Sequence, residues 1–395
     1  MAVPECELVG KRVVIVGHIT EVYGPVQALS NYLTSRTDEF VSILHPFSYS
    51  SVPDSAYRVH SKRECRESLR WRNIRFSEVL SYAQHIALTL YWILRSRKRF
   101  SIYVGIDNLN AFTGIVLRKL GVTDKVIFYV IDYTPKRFRN TFINLLYHAL
   151  DGFCVRHSDY VWNISERIAE VREKQGVSKT KNLVVPVGIE LEKIGCLANR
   201  KGNKRKLVFV SHLTKSKGVE LAIEAMKAIN QAVPDAILEI IGTGPHEQEL
   251  EKMCEVRGLS NYVKFLGAMG HDKLLEYLPS CGIALATYLD DLDSITYYAD
   301  PTKPKEYLAC GLPVVITRVP WIAEEIERRP MGIAIRYTKE ELTNAVIKLA
   351  KNNDFYIQCS KNATAFTSNL SWDKIYTRAF KETCGERSDH THQGI

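Results

Sequence analysis

Along most of the chain, short and nearly continuous apolar runs alternate with stretches whose apolar positions recur every three or four residues. In the first half the runs are RVVIVG (12–17), FVSIL (40–44), SIYVG (101–105), KVIFYVI (125–131), YVWNIS (160–165) and NLVVPV (182–187). In the second half they are KLVFVS (206–211), AILEIIG (236–242), VKFLG (263–267), GIALAT (282–287), PVVIT (313–317) and GIAIRY (332–337). Helical spacing fills the gaps, as in PVQALSNYLTSR (25–36), NAFTGIVLRKLG (110–121), GVELAIEAMKAINQAV (218–233) and HEQELEKMCEVRG (246–258). Strands apolar on both faces, separated by helices, predict parallel sheets covered on both sides.

Two such series predict two doubly wound α/β domains, as does a length of 395 residues, which is long for one core. The apolar rhythm breaks at VPVGIELEKIGCLANRKGNKRK (185–206). We therefore expect a first domain over 1–187, a linker over 188–205, a second domain over 206–368, a closing helix over 369–385 that crosses back to the first domain, and a disordered tail over 386–395.

The nine cysteines are scattered singly, without CxxC spacing, so neither a zinc site nor a disulfide framework is expected. A reducing, cytoplasmic setting suits them. The N-terminal segment carries acids and lacks a long apolar core, so no secretory signal is expected. The longest apolar patch, HIALTLYWIL (85–94), is half the ~20 residues needed to span a bilayer.

The net charge of +9 is concentrated: residues 58–100 hold eleven Lys and Arg against three Glu. RWRNIRFSEVL mixes arginines with Trp71, Ile74 and Phe76, and LYWILRSRKRF ends in four cations. This segment reads as a contact with an anionic membrane surface, or as a solvated cationic helix followed by a core helix. Nucleic acid is the other anionic partner such charge suggests, but no stacking platform or RNA motif accompanies it.

Ligands of open parallel sheets bind beyond the carboxyl ends of the strands. VSHLTKSKG (210–218) there offers His212, Lys215 and Lys217 ahead of a helix start, a place for an anion. IGTGP (241–245) follows the next strand, and Gly242 and Gly244 would let the backbone approach a ligand, although a tight turn needs the same residues. Further on, DPTKPKEYLACGLPVV (300–315) sets an acid, two prolines and two lysines ahead of Glu306. Glu306 is expected in the first turn of a helix, either as a capping charge or as the carboxylate that takes a ribose diol while Lys303 meets a diphosphate. In the first half, Gly24 reads as a loop bending near substrate or a plain helix entry. Asp132 reads as a carboxylate for an acceptor hydroxyl or a partner of Lys136 or Arg137, and His18 as more structural than chemical. DDLD (290–293) contains the Asp-x-Asp that could hold a divalent cation, but a solvated acidic turn is favoured.

LVFVSHLTKSKGVELAIEAM, LEIIGTGP, VKFLGAM and KEYLACGLPVVIT resemble, in order and spacing, the nucleotide-sugar domain of GT-B glycosyltransferases, most closely the retaining enzymes of family four. VVIVGHITEVYGPVQALSNYL resembles the first strand, glycine loop and helix of the acceptor domain. The resemblance implies two Rossmann-like domains facing a cleft, and transfer of a sugar from a nucleoside-diphosphate sugar to a glycan or lipid-linked acceptor. It implies no metal and no cofactor. Lys217 falls where the family places its diphosphate lysine, and His212 where an arginine is usual. Glu306 matches the second of two glutamates seven residues apart, while Tyr298 occupies the first position. A sugar-nucleotide epimerase on the same fold is the nearest alternative, and a nucleic-acid-binding protein a remoter one.

Overall fold

The computed structural model describes residues 8–19, 23–47, 50–61, 64–74, 78–195, 202–289 and 295–385. Within these the chain divides into two units, residues 1–186 with 372–395, and residues 187–371.

In the first unit the elements run β1 (Arg12–His18), α1 (Pro25–Thr34), β2 (Glu39–His45), β3 (Asp54–Ser61), β4 (Glu64–Arg72), α2 (Glu78–Arg95) and β5 (Phe100–Ile106). They continue through α3 (Asn108–Lys119), β6 (Thr123–Val130), α4 (Thr141–His157), β7 (Tyr160–Asn163), α5 (Glu166–Lys174) and β8 (Asn182–Val184). The sheet order is β4-β3-β2-β1-β5-β6-β7-β8. The pairs from β2 through β8 are parallel, whereas β3 runs antiparallel to both β2 and β4. Val13–Val16 of β1 are fully buried because helices cover both faces of the strand.

The β3–β4 hairpin is absent from the expected pattern. Nearly all of β4 is exposed, since it is the outer strand of the sheet, so no apolar run marks it. Alternation puts Arg70 and Arg72 on one face and Leu69 and Trp71 on the other, while a bulge at Arg66 interrupts the pattern. Of the stretch 70–80 that carries the membrane reading, Arg70, Trp71, Arg72 and Ile74 are all exposed, and residues 75–77 lie outside the described residues.

The second unit contains α6 (Leu191–Gly195), β9 (Asn203–Val210), α7 (Val219–Ala232), β10 (Ile237–Ile241), α8 (Glu247–Val256), β11 (Val263–Phe265), α9 (His271–Tyr277), β12 (Cys281–Ala286) and α10 (Ile295–Tyr298). α11 (Thr302–Ala309), β13 (Val314–Thr317), α12 (Ile322–Arg328), β14 (Gly332–Ile335), α13 (Lys339–Lys351) and α14 (Asn353–Thr367) complete it. Its sheet, β11-β10-β9-β12-β13-β14, is parallel throughout. Successive side chains of β9 point to opposite faces: Leu207 and Phe209 enter the core under α7 and α13, Val208 and Val210 the core under α9, α11 and α12. Part of the stretch expected as linker is ordered structure, because α6 and the start of β9 fall within it.

The final helix, α15 (Trp372–Cys384), belongs to the first unit. Tyr376 donates to the Pro25 carbonyl at 2.9 Å, Trp162 donates to Thr383 Oγ1 at 3.2 Å, and the rings of Tyr32 and Phe380 stack 5.7 Å apart. DDLD and the tail 386–395 lie outside the described residues.

Candidate functional site

Strand order reverses between β9 and β12 in the second unit and between β1 and β5 in the first. Such switch points open a crevice at the carboxyl ends of the two central strands. The loops after these strands are therefore where chemistry is to be sought.

After β9 the chain makes a single tight turn, Lys215–Lys217, and enters α7 through Gly218. Gly218 has φ 63°, and a Cβ there would lie 1.8 Å from the Thr287 carbonyl oxygen, so only glycine fits. Thr287 Oγ1 in turn donates to the Gly218 carbonyl at 2.6 Å. The β9 and β12 loops are thus locked together across the switch point. Lys217 lies there with its ammonium 5.6 Å from the centre of the Tyr288 ring. Burial lowers its pKa below the ordinary lysine value. His212 is exposed on the same loop.

Gly242 and Gly244 lie against the neighbouring loop. A Cβ on Gly242 would lie 1.8 Å from the Ser211 carbonyl oxygen, and one on Gly244 2.4 Å from that of Leu213. The space is filled by backbone of the β9 loop, to which Leu213 N–H→Thr243 O (3.0 Å) and Ser211 N–H→Ile241 O (3.0 Å) fasten it. These glycines let two loops touch, and through that contact they shape the rim.

The stretch around Glu306 splits into two ion pairs. Lys305 and Asp300 are fully buried against each other; Lys305 Nζ also donates to the Val187 carbonyl at 2.6 Å, and Asp300 accepts from Val187 N–H at 2.6 Å. This pair clamps the chain at the entry to the second unit. Burial raises the Asp300 pKa and lowers that of Lys305, each opposed by the other's charge. Glu306, also buried, is not in the first turn as expected but at the fifth position of α11, which begins at Thr302. Its charge is accordingly met by side chains. Oε1 accepts from His271 Nε2 at 2.9 Å and Oε2 from Lys303 Nζ at 2.9 Å. Burial pushes the carboxyl up, but the His271 hydrogen bond and the Lys303 charge outweigh it and hold it below the usual value. His271 opens α9 and also contacts Glu190 at 3.2 Å; the hydrogen bond to Glu306 raises its pKa. Tyr298 ends the short α10. His271 escapes the sequence reading because its own neighbourhood resembles an ordinary helix start; its position just beyond a strand end was the available signal.

In the first unit Gly24 caps α1 with φ −159°, extended backbone open to any residue, and its N–H donates to Gln27 Oε1 at 3.1 Å. That is the helix-entry reading. Asp132 takes both oxygens to Arg137 Nη1, each at 2.6 Å, the pairing named as its alternative. His18 is buried, its ring 4.4 Å from that of Phe47. Burial first, then the nearby His85, lowers its pKa to about 4, so its imidazole is neutral.

Asp107 is the residue the sequence did not disclose. It follows β5 at the switch point, 3.8 Å from His18, with φ 75° and no capping bond to α3. Non-glycine residues are held in this region only where surrounding structure imposes it, commonly at functional positions. Burial, followed by the charges of Asp132 and Asp151, raises its pKa to about 7 against the pull of Arg137.

Two doubly wound sheets, parallel apart from the β3–β4 hairpin at one edge of the first, with charged groups gathered at their switch points, have the α/β architecture of the GT-B fold. HepE of Anabaena, solved with UDP, shares it: TM-score 0.67 at 15% identity, over 94% of this chain and 99% of that one. Residues 198–366 match the family described as glycosyl transferases group 1. An uncharacterized glycosyltransferase of Methanocaldococcus jannaschii is 25% identical over 67% of this chain and 69% of its own length. An alpha-monoglucosyldiacylglycerol synthase of Acholeplasma laidlawii is 23% identical over 50% of each. The second unit thus carries the group 1 glycosyltransferase sequence.

Proposed function

We propose that the chain moves a sugar from a nucleoside-diphosphate sugar to a glycan or lipid-linked acceptor, with retention of anomeric configuration and without a metal ion. The observation that carries this reading is Glu306: a buried carboxylate kept ionised by His271 and Lys303 at the carboxyl rim of a parallel sheet. A ribose offers two adjacent hydroxyl donors, which an oriented carboxylate accepts together. Lys217 and Lys303 supply positive charge to the diphosphate as it departs, and the exposed His212 side chain offers it a hydrogen bond. Preorganised cations of this kind are commonly the largest contribution to such catalysis. The bond from the sugar's anomeric carbon to the diphosphate breaks, the bond to the acceptor oxygen forms on the same face, and the acceptor proton passes to the departing diphosphate.

On the acceptor side, Asp107 and Asp132 hold the nucleophilic hydroxyl, with Arg137 fixing Asp132 and neutral His18 beside Asp107. Among the described residues no helix is long and apolar enough to cross a membrane. The proposed setting is cytoplasmic, at the inner face of a membrane when the acceptor is lipid-linked. A thermal-shift panel of UDP, GDP and their sugar conjugates tests the donor reading, since a ligand of the folded state raises its melting temperature. Failure of every sugar nucleotide to shift it would remove the proposal. Product anomers resolved by NMR test retention, and activity that a chelator abolishes and manganese restores would contradict the metal-free mechanism.

A further inference from the structure

α4 turns an apolar stripe outward. Phe142, Leu145 and Leu146 are 66%, 65% and 54% exposed, and with exposed Ala149 they fall at the i, i+3, i+4, i+7 spacing of one helix face. Ile143 flanks them. Asn144, Tyr147 and His148 are the more covered side, the reverse of a helix designed to be solvated. Isolated exposed apolar residues need no explanation, but a contiguous ridge does.

The ridge is rigidly presented. Asn140 caps α4, accepting from the N–H groups of Phe142 (2.9 Å) and Ile143 (3.1 Å). The preceding loop is tied back by Asn144 Nδ2→Pro135 O and His148 Nε2 to Pro135 O, both at 3.0 Å. Exposed Lys136 and Arg139 sit on that loop, and from 133 to 150 the sequence contains no Asp or Glu. The same loop begins with Asp132, placing the ridge at the carboxyl rim of β6.

We propose that the N-terminal half of α4 and its basic loop are the surface by which this chain lies on an anionic lipid bilayer. Apolar side chains enter the acyl boundary while the cations meet lipid phosphates, the arrangement of interfacial helices. Charge complementarity selects this occupant. A second copy seated on the ridge would bring Lys136 and Arg139 of both copies together, and residues 133–150 hold no acid. The surface takes on its purpose from the proposed lipid-linked acceptor, whose reacting end would be delivered beside Asp132.

The test is flotation of the full chain with phosphatidylglycerol-containing vesicles and with pure phosphatidylcholine vesicles, without nucleotide or acceptor. The chain is expected to bind the anionic vesicles. F142S/L145S/L146S and, separately, K136E/R139E should each reduce that partition at least tenfold. R66E/R70E/R72E on β4 should leave it within twofold. Since every substituted side chain is exposed, melting temperature and the UDP-induced shift should stay at wild-type values, so loss of vesicle binding and loss of donor binding are read apart. Indifference of the wild-type chain to anionic vesicles overturns the proposal, as does undiminished binding of the serine variant. So does a wild-type dimer in light scattering that the serine variant abolishes.

Discussion

His271 Nε2 and Glu306 Oε1 lie 2.9 Å apart, joining the start of α9 to the second turn of α11. The histidine's folded pKa is raised, so the stability this bond contributes is complete below about pH 6.5 and lost as pH rises through the folded value. H271Q should flatten the wild-type loss of melting temperature across that window. It should also weaken nucleotide binding several-fold by leaving Glu306 with one orienting partner. A pH–stability curve identical to wild type would remove the pair from the account.

Lys217 and Lys303 are assigned to the departing diphosphate. K217A and K303A should each lower kcat by about tenfold or more, the cost of one lost charge-assisted contact of ~1.5–3 kcal/mol. Steady-state kinetics with the donor identified by thermal shift decides; unchanged kcat in both variants contradicts the assignment.

The Asp300–Lys305 pair should matter for stability alone. Removing one member leaves a buried charge, so K305M should cost about 3–5 kcal/mol in urea unfolding, and D300L/K305M should recover much of it. A single variant as stable as wild type would show that the clamp at Val187 does not depend on the pair.

Asp107 gives a pH signature of opposite origin. Its folded pKa of about 7 exceeds the ordinary 3.8, so its favourable contribution is complete below about pH 4 and lost as pH rises through 7. D107N should therefore gain stability on wild type between pH 4 and pH 8, by about 2 kcal/mol after allowing for the quarter of the side chain that water reaches. If Asp107 also holds the acceptor hydroxyl, D107N should raise the acceptor KM or lower kcat while nucleotide binding is unchanged. Calorimetry at the two pH values and acceptor kinetics read the two effects separately.

Most of the twelve apolar runs were legible as strands because they are buried on both faces; the edge strands β8 and β11 are only partly covered. β3 and β4 were not, because β4 is an exposed, charge-rich outer strand and β3 interrupts its buried positions with Asp54, Arg58 and His60. Glu306 and Lys217 stood out through motif spacing. Asp107 did not, since its interest lies in a positive φ and in proximity to His18, neither of which a linear pattern encodes. Gly242 and Gly244 were read as close approach to a ligand or as a tight turn, and the structure shows backbone of the adjacent loop packed against both. Glu306 drew attention as a helix-start charge, whereas α11 begins early enough that Lys303 and His271 provide its balance.

The central claim is that Lys217 and Glu306 grip one nucleoside diphosphate on the second unit. Isothermal titration of wild type, K217A and E306Q with UDP and GDP tests it most directly. The account predicts one site per chain for at least one nucleotide, with affinity reduced about tenfold or more, ~1.4 kcal/mol, in each variant. Equal affinity in all three proteins would contradict it.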